Sequence, residues 1–198
     1  MRALQTRSFD PRMLLAVMAA VTIGTASAAS AAVVSYQVTL DALTESPPNA
    51  SAGLGAGQVD IDATAHTMHV HVVFSGLSGT VTASHIHAAT AVAGAGTAGV
   101  ATTTPTFAGF PSGVTGGTYD NTLDLTLASS YNPSYVTANG GTPAAAEAAL
   151  LAAIASGKAY WNIHTNVVPS GEIRGFLVPG NPTPAEQSTW GRIKTLYK

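Results

Sequence analysis

The 198-residue chain has no cysteine. No disulfide can brace it, and no thiolate can serve as nucleophile or ligand, so thiol chemistry is excluded in any redox compartment. Charge is scarce too: Asp, Glu, Lys and Arg make up 9% of the residues, 8 cationic against 10 acidic. Arg2, Arg7, Asp10 and Arg12 precede the apolar run MLLAVMAAVTIGTA, while Arg192, Lys194 and Lys198 crowd the other end. The body between them keeps Lys158 and Arg174 against eight carboxylates. A nucleic-acid partner needs a basic surface that releases counterions; this body offers none, and that partner class is excluded. After the N-terminal run, no stretch is long and apolar enough to span a membrane.

What is present divides into three parts. The basic start, the short apolar run and the small residues SAASAA, with Ala-x-Ala cleavage positions after Ala28 or Ala31, read as a signal peptide over 1–31. No cysteine follows it, so a lipoprotein anchor is not expected, and the mature chain is expected to be secreted or periplasmic. Residues 33–179 read as one domain, long enough for a real core. Residues 180–198 open as a proline-rich linker and end in STWGRIKTLYK, where Trp190, Ile193 and Leu196 suggest a short amphipathic helix.

The domain is written mostly in period two. SYQVTLDAL alternates Tyr36, Val38, Leu40 and Ala42 with polar neighbours, and HTMHVHVVFSGL sets Met68, Val70, Val72 and Phe74 on one face. His69, His71 and Val73 then point the other way, and His66 belongs to a loop. TYDNTLDLTL predicts a strand with Leu123, Leu125 and Leu127 in phase. The period changes once, in TPAAAEAALLAAIASGKA, where Thr142 is the expected N-cap, Pro143 the first helical residue and Gly157 the stop. The Gly/Ala loop TAVAGAGTAGV lacks the strand-to-helix context and the Lys of a phosphate loop. The sum predicts an all-β antiparallel sandwich or flattened barrel with one short inserted helix.

Chemistry concentrates in two segments, TASHIHAAT and AYWNIHTNVVPSGEIRGFL. His85 and His87 share one strand face, about 7 Å apart by strand geometry. With NVVPSG as the turn, His164 is expected opposite Glu172, Asn162 opposite Arg174 and Tyr160 opposite Phe176, all on one face. Ile163, Ile173 and Leu177 take the core side. Three imidazoles converging from two strands suit Cu, Zn, Fe or Ni, with copper favoured by the Irving–Williams order. Their ring nitrogens are then expected within about 4 Å of one another, since metal–nitrogen distances are about 2 Å. Glu172 is expected to bind the ion or to hold the His164 ring by accepting its other N–H, so that Glu172→Gln weakens the metal by about 10–100-fold and spares the fold. Arg174 is expected to place a positive charge beside an anionic ligand. The plain alternative is that the histidines and the Glu172–Arg174 pair are exposed strand residues of little energetic weight.

At these residues the chain resembles the CHRD domain, named for chordin: SGLSGTVTASHIHAA and SGKAYWNIHTNVVPSGEIRGFLV resemble its two signature blocks. The likeness runs from about Ser35 to Pro179 and includes the Ala-rich helix. It implies an immunoglobulin-like β-barrel comparable with the Cu/Zn superoxide dismutases. It also implies that His85, His87 and His164 are the signature histidines, with Glu172 and Arg174 in the GEIRG motif. Two departures stand out: Ala88-Ala89 where members often carry Gly-Pro, and no dismutase-like bridging histidine or zinc-ligand pattern. The expected function is a secreted domain binding a transition metal, copper first. The alternatives are a structural or adhesive module with a cell-surface or matrix partner, and a copper-dependent dismutase-like enzyme.

Overall fold

The alternating segments become strands with the alternation intact. In the computed structural model, which describes residues 33–180, β1 (Val34–Asp41) buries Tyr36, Val38 and Leu40 and turns their neighbours outward. The expected signal peptide and the C-terminal tail lie outside the described residues. The remaining strands are β2 (Leu54–Asp62), β3 (Thr67–Ser75), β4 (Val81–His87), β5 (Gly117–Asp124), β6 (Tyr160–Thr165), β7 (Ile173–Phe176) and the two-residue β8 (Val178–Pro179). They form one antiparallel eight-stranded sheet in the order β4-β6-β7-β1-β2-β3-β5, with β8 also pairing to β1. Trp161, Phe107, Leu40, Met68, Ile86, Ile163 and Ile173 fill one continuous core. The fold is all-β, as the period-two text implies.

The helical part is larger than expected by one element. α2 (Pro143–Ala155) starts where predicted: the Thr142 side chain accepts from the Ala145 N–H, and Gly157 adopts φ +69° just beyond the end. A shorter helix, α1 (Pro133–Ala138), precedes it, capped by Asn132 accepting from the Ser134 N–H. Asn132-Pro133 and Thr142-Pro143 are the same start signal, but six residues are too few to display a helical period. The other difference is the end of β5. Leu127 is not in phase with Leu123 and Leu125 but half-exposed, because Asp124 turns the chain by accepting from both the backbone N–H and the hydroxyl of Thr126.

The β4–β6–β7–β1 side of the sheet carries the candidate site. Its cross-strand pairs put His87 beside Tyr160 and Phe176, and line up His85, Asn162, Arg174 and Asp41 in one row. The expected Asn162–Arg174 and Tyr160–Phe176 pairings are thus found. Gly175 is what lets the row close: a Cβ there would run into the carbonyl oxygen of Thr39 on β1. Among the described residues, no helix is long and apolar enough to cross a membrane.

Candidate metal centre

His85 and His87 project from one face of β4, and His164 reaches the same place from β6, where its register partner is Ala83. His164 therefore lies diagonally across from His85. The ring centroids are 5.8 Å apart for His85–His87, 5.3 Å for His85–His164 and 5.9 Å for His87–His164. One nitrogen from each ring lies within 4.8 Å of the others. That span is wider than the expected 4 Å. Trigonal nitrogens around an ion at 2.0 Å are about 3.5 Å apart, so ligation needs the rings to close by about an ångström.

Loops fix which nitrogen of each ring carries the hydrogen. His85 Nε2 meets the Pro105 carbonyl at 2.6 Å, His87 Nδ1 the Ala98 carbonyl at 3.0 Å, and His164 Nδ1 the Pro169 carbonyl at 3.0 Å. A carbonyl oxygen only accepts, so each of those nitrogens must carry the hydrogen. In a neutral imidazole the other nitrogen is then a bare lone pair. Those are His85 Nδ1, His87 Nε2 and His164 Nε2, and all three are buried without a hydrogen-bond partner. Neutrality is favoured: burial lowers all three pKa values, that of His87 to about 4, against the weaker opposing pull of the carbonyls. A backbone carbonyl on one nitrogen and a free lone pair on the other is the arrangement in which metal-binding histidines are held.

The surroundings are polar and mostly buried. Tyr160 stacks on His87 with centroids 4.7 Å apart and 5° between planes, and its hydroxyl donates to the same Ala98 carbonyl that His87 uses. Arg174 lays its guanidinium 4.8 Å from the Tyr160 centroid and donates to the carbonyls of Thr44 and Gly96. Arg174 thus reaches the cluster only through Tyr160, and its hydrogen bonds go to loops. Its acidic neighbour is Glu45, 3.7 Å away on the loop after β1. Burial pushes the Glu45 carboxyl up to about 7 in spite of Arg174. Asn162 sits between them: a Cβ on Gly171 would fall within 2.7 Å of both the Asn162 amide and Glu45 Oε1, which explains a glycine at that position.

Glu172 is where the expectation fails. The β6–β7 ladder ends at the Ile163–Ile173 pair, and the Glu172 N–H donates to the Ile163 carbonyl instead of letting Glu172 face His164. Its side chain turns away into a cage of neutral donors: Ser51 Oγ, Thr165 Oγ1, and the Ser78 N–H and hydroxyl at 2.5–2.8 Å, and the Gly79 N–H at 3.2 Å. Burial alone pushes the carboxyl up, but the bonds from Ser51, Thr165 and Ser78 outweigh it and hold the pKa below the usual value. Glu172 neither meets the cluster nor holds His164; the Pro169 carbonyl does the latter.

Sequence reasoning did not find the loop carbonyls of Ala98, Pro105 and Pro169, since a backbone acceptor leaves no mark in residue identity. It also missed Glu45. A buried Arg174 in a body with two cations demands an acidic neighbour, but nothing in the text selects Glu45 among eight carboxylates.

No curated protein and no solved structure matches the chain. The profile of the CHRD domain matches residues 36–177, nearly all of the described fold, including β4 and β6, which bear the clustered histidines. The chain belongs to the CHRD domain family.

Proposed function

We propose that this CHRD-domain protein binds a transition-metal ion, copper first, through His85, His87 and His164, and that it acts outside the cytoplasm, secreted or periplasmic. One observation carries the reading. His85 and His87, both buried, and the half-buried His164 each give one N–H to a loop carbonyl and keep the other nitrogen buried and unpartnered, and one nitrogen of each ring lies within 4.8 Å of the others. Buried polar atoms without partners are rare in folded proteins, and three of the five such side-chain atoms among the described residues are these ring nitrogens, which ask for an electrophile. An ion is the electrophile that suits imidazole nitrogen. The metal-free structural or adhesive reading leaves all three lone pairs unexplained. A dismutase-like enzyme needs a coordination position open to substrate, and the buried nitrogens favour holding an ion over turning one over. The test is metal analysis of the purified mature protein, followed by titration of the wild type and the His85→Ala variant with Cu(I) and with Cu(II) at pH 7.5. Tight binding at one equivalent, lost in the variant, is expected. Equal weak binding by both proteins hands the function to the structural-module reading.

A further inference from the structure

Resting on the reading that the histidine cluster holds metal, we propose that its resident ion is monovalent copper, three-coordinate, and that the site discriminates against Cu(II) and Zn(II). The first reason is charge. The group that can converge on an ion contains three neutral imidazoles and no carboxylate. The acid expected beside it, Glu172, is committed to Ser51, Ser78, Gly79 and Thr165, and Glu45 lies against Arg174 at 3.7 Å. An ion entering this buried place keeps its whole charge. The cost of burying charge grows as the square of that charge, so a divalent ion meets about four times the penalty of a monovalent one.

Arg174 adds to the discrimination. Its guanidinium is buried and 4.8 Å from the Tyr160 centroid, and Tyr160 is 4.7 Å from His87. Those two legs place the cation no farther than about 9.5 Å from the His87 ring. Glu45 offsets part of that field, but the field still favours the lower metal charge. Coordination number gives the third reason. The three bare nitrogens are shut from solvent, and no fourth histidine and no carboxylate joins the group among the described residues. Zinc in proteins takes four ligands, the last often water, whereas filled-shell Cu(I) accepts three.

The experiment compares three ions on the wild-type mature protein: Cu(I) under anaerobic conditions against a chromogenic chelator, and Cu(II) and Zn(II) against their own competing chelators, all at pH 7. Cu(I) is expected to bind about 100-fold or more tightly than either divalent ion, a preference set by the burial cost of the second charge. For a one-electron couple, tenfold is 59 mV, so the bound copper couple should lie about 120 mV above that of free copper ions. Cu(II) or Zn(II) binding as tightly as Cu(I), with loss in His85→Ala, overturns the monovalent assignment and leaves the metal site standing. Binding of none of the three overturns both. The ranking of the three ions is read within the wild type; the His85→Ala arm serves only to tie a tightly bound divalent ion to the cluster.

Discussion

The chain writes the same three-residue pattern twice, His69-Val70-His71 on β3 and His85-Ile86-His87 on β4, and makes different things of them. Both pairs lie on one face of a strand, and both have a buried aliphatic residue between them. The β3 pair stays half-buried on the outer face, where His69 lies against Asp60 and Asp120. The β4 pair is buried, and loops supply a carbonyl to one nitrogen of each ring. The pattern fixes spacing; the cover fixes chemistry. His69 faces a carboxylate at each nitrogen, while His85 and His87 face a carbonyl at one nitrogen and keep the other unpartnered.

The largest effect should come from removing the covered pair. His85→Ala and His87→Ala are each expected to lower copper affinity by at least about 100-fold, because two imidazoles replace three in the ligand set. Wild-type protein held at 100 times its dissociation constant gains about 2.7 kcal/mol from the bound ion. That gain should fall to about 0.4 kcal/mol or less in either variant, and thermal melts with and without copper read it directly. A variant that keeps its copper-dependent shift removes that histidine from the site.

Glu172 sharpens the contrast from the other side, as a buried polar group whose partners are complete. In Glu172→Gln the new amide must face a backbone N–H whichever way it turns: Ser78 on the Oε1 side, Gly79 on the Oε2 side. Donor then meets donor inside the fold. A cost of about 3 kcal/mol is expected, near the upper end for hydrogen bonds to a charged group. For a domain of this size that lowers the melting temperature by about 6–12 °C. Copper affinity of the folded variant should be unchanged, the reverse of what the sequence suggested. A copper affinity that falls with an intact melting temperature restores Glu172 to the metal centre.

That reversal shows what the sequence could and could not disclose. Period two gave the strands, the buried faces of β1 and β3, and the pairing of Asn162 with Arg174 and Tyr160 with Phe176. The three histidines were legible because side chains two apart share a face. The direction of Glu172 was not. One irregular step at the end of the β6–β7 ladder sends a side chain to the opposite face, and no residue in GEIRG announces that step. The carbonyls that set the tautomers come from loops at Ala98, Pro105 and Pro169, far from β4 in sequence or across a turn, and only the folded chain brings them in.

Acid should separate the two environments next. The lowered pKa values of His85, His87 and His164 mean that the unfolded chain, titrating near 6.5, binds protons that the folded chain refuses. Stability of the metal-free protein therefore falls as pH drops from about 6.5 toward the His87 value of about 4. Glu45 works against this: its raised value of about 7 contributes stability at low pH that is lost as pH rises through that value. Glu172, held below the usual value, adds stability above 4.5 that is lost as pH falls through its folded pKa. The shifts of His87 and Glu45 are about equal and opposite, so His85 and His164, both lowered by burial, decide the sign, and a net loss of stability is expected between pH 6.5 and 4.5. Urea midpoints of the metal-free protein across that window measure it. Stability that instead rises toward pH 4.5 means that the Glu45 carboxyl is desolvated and the rings are not.

The smallest effect belongs to the uncovered pair. His69 Nδ1 is 3.6 Å from Asp60 Oδ2 and Nε2 is 3.1 Å from Asp120 Oδ1, so a carboxylate faces each nitrogen. The Asp120 side chain is largely exposed, and exposed ion pairs are worth about 0–1 kcal/mol. His71 stands between Gln58 and Asp120 in the registers of β2 and β5, polar neighbours that water can replace. His69→Ala and His71→Ala should each shift stability by no more than about 0.5 kcal/mol, as surface substitutions usually do. Neither should alter copper affinity, since neither histidine belongs to the group that can converge on an ion. Equilibrium unfolding and copper titration of both variants, alongside His85→Ala, complete the comparison. If His69→Ala costs as much copper affinity as His85→Ala, then the spacing alone and not the loop cover makes the ligand.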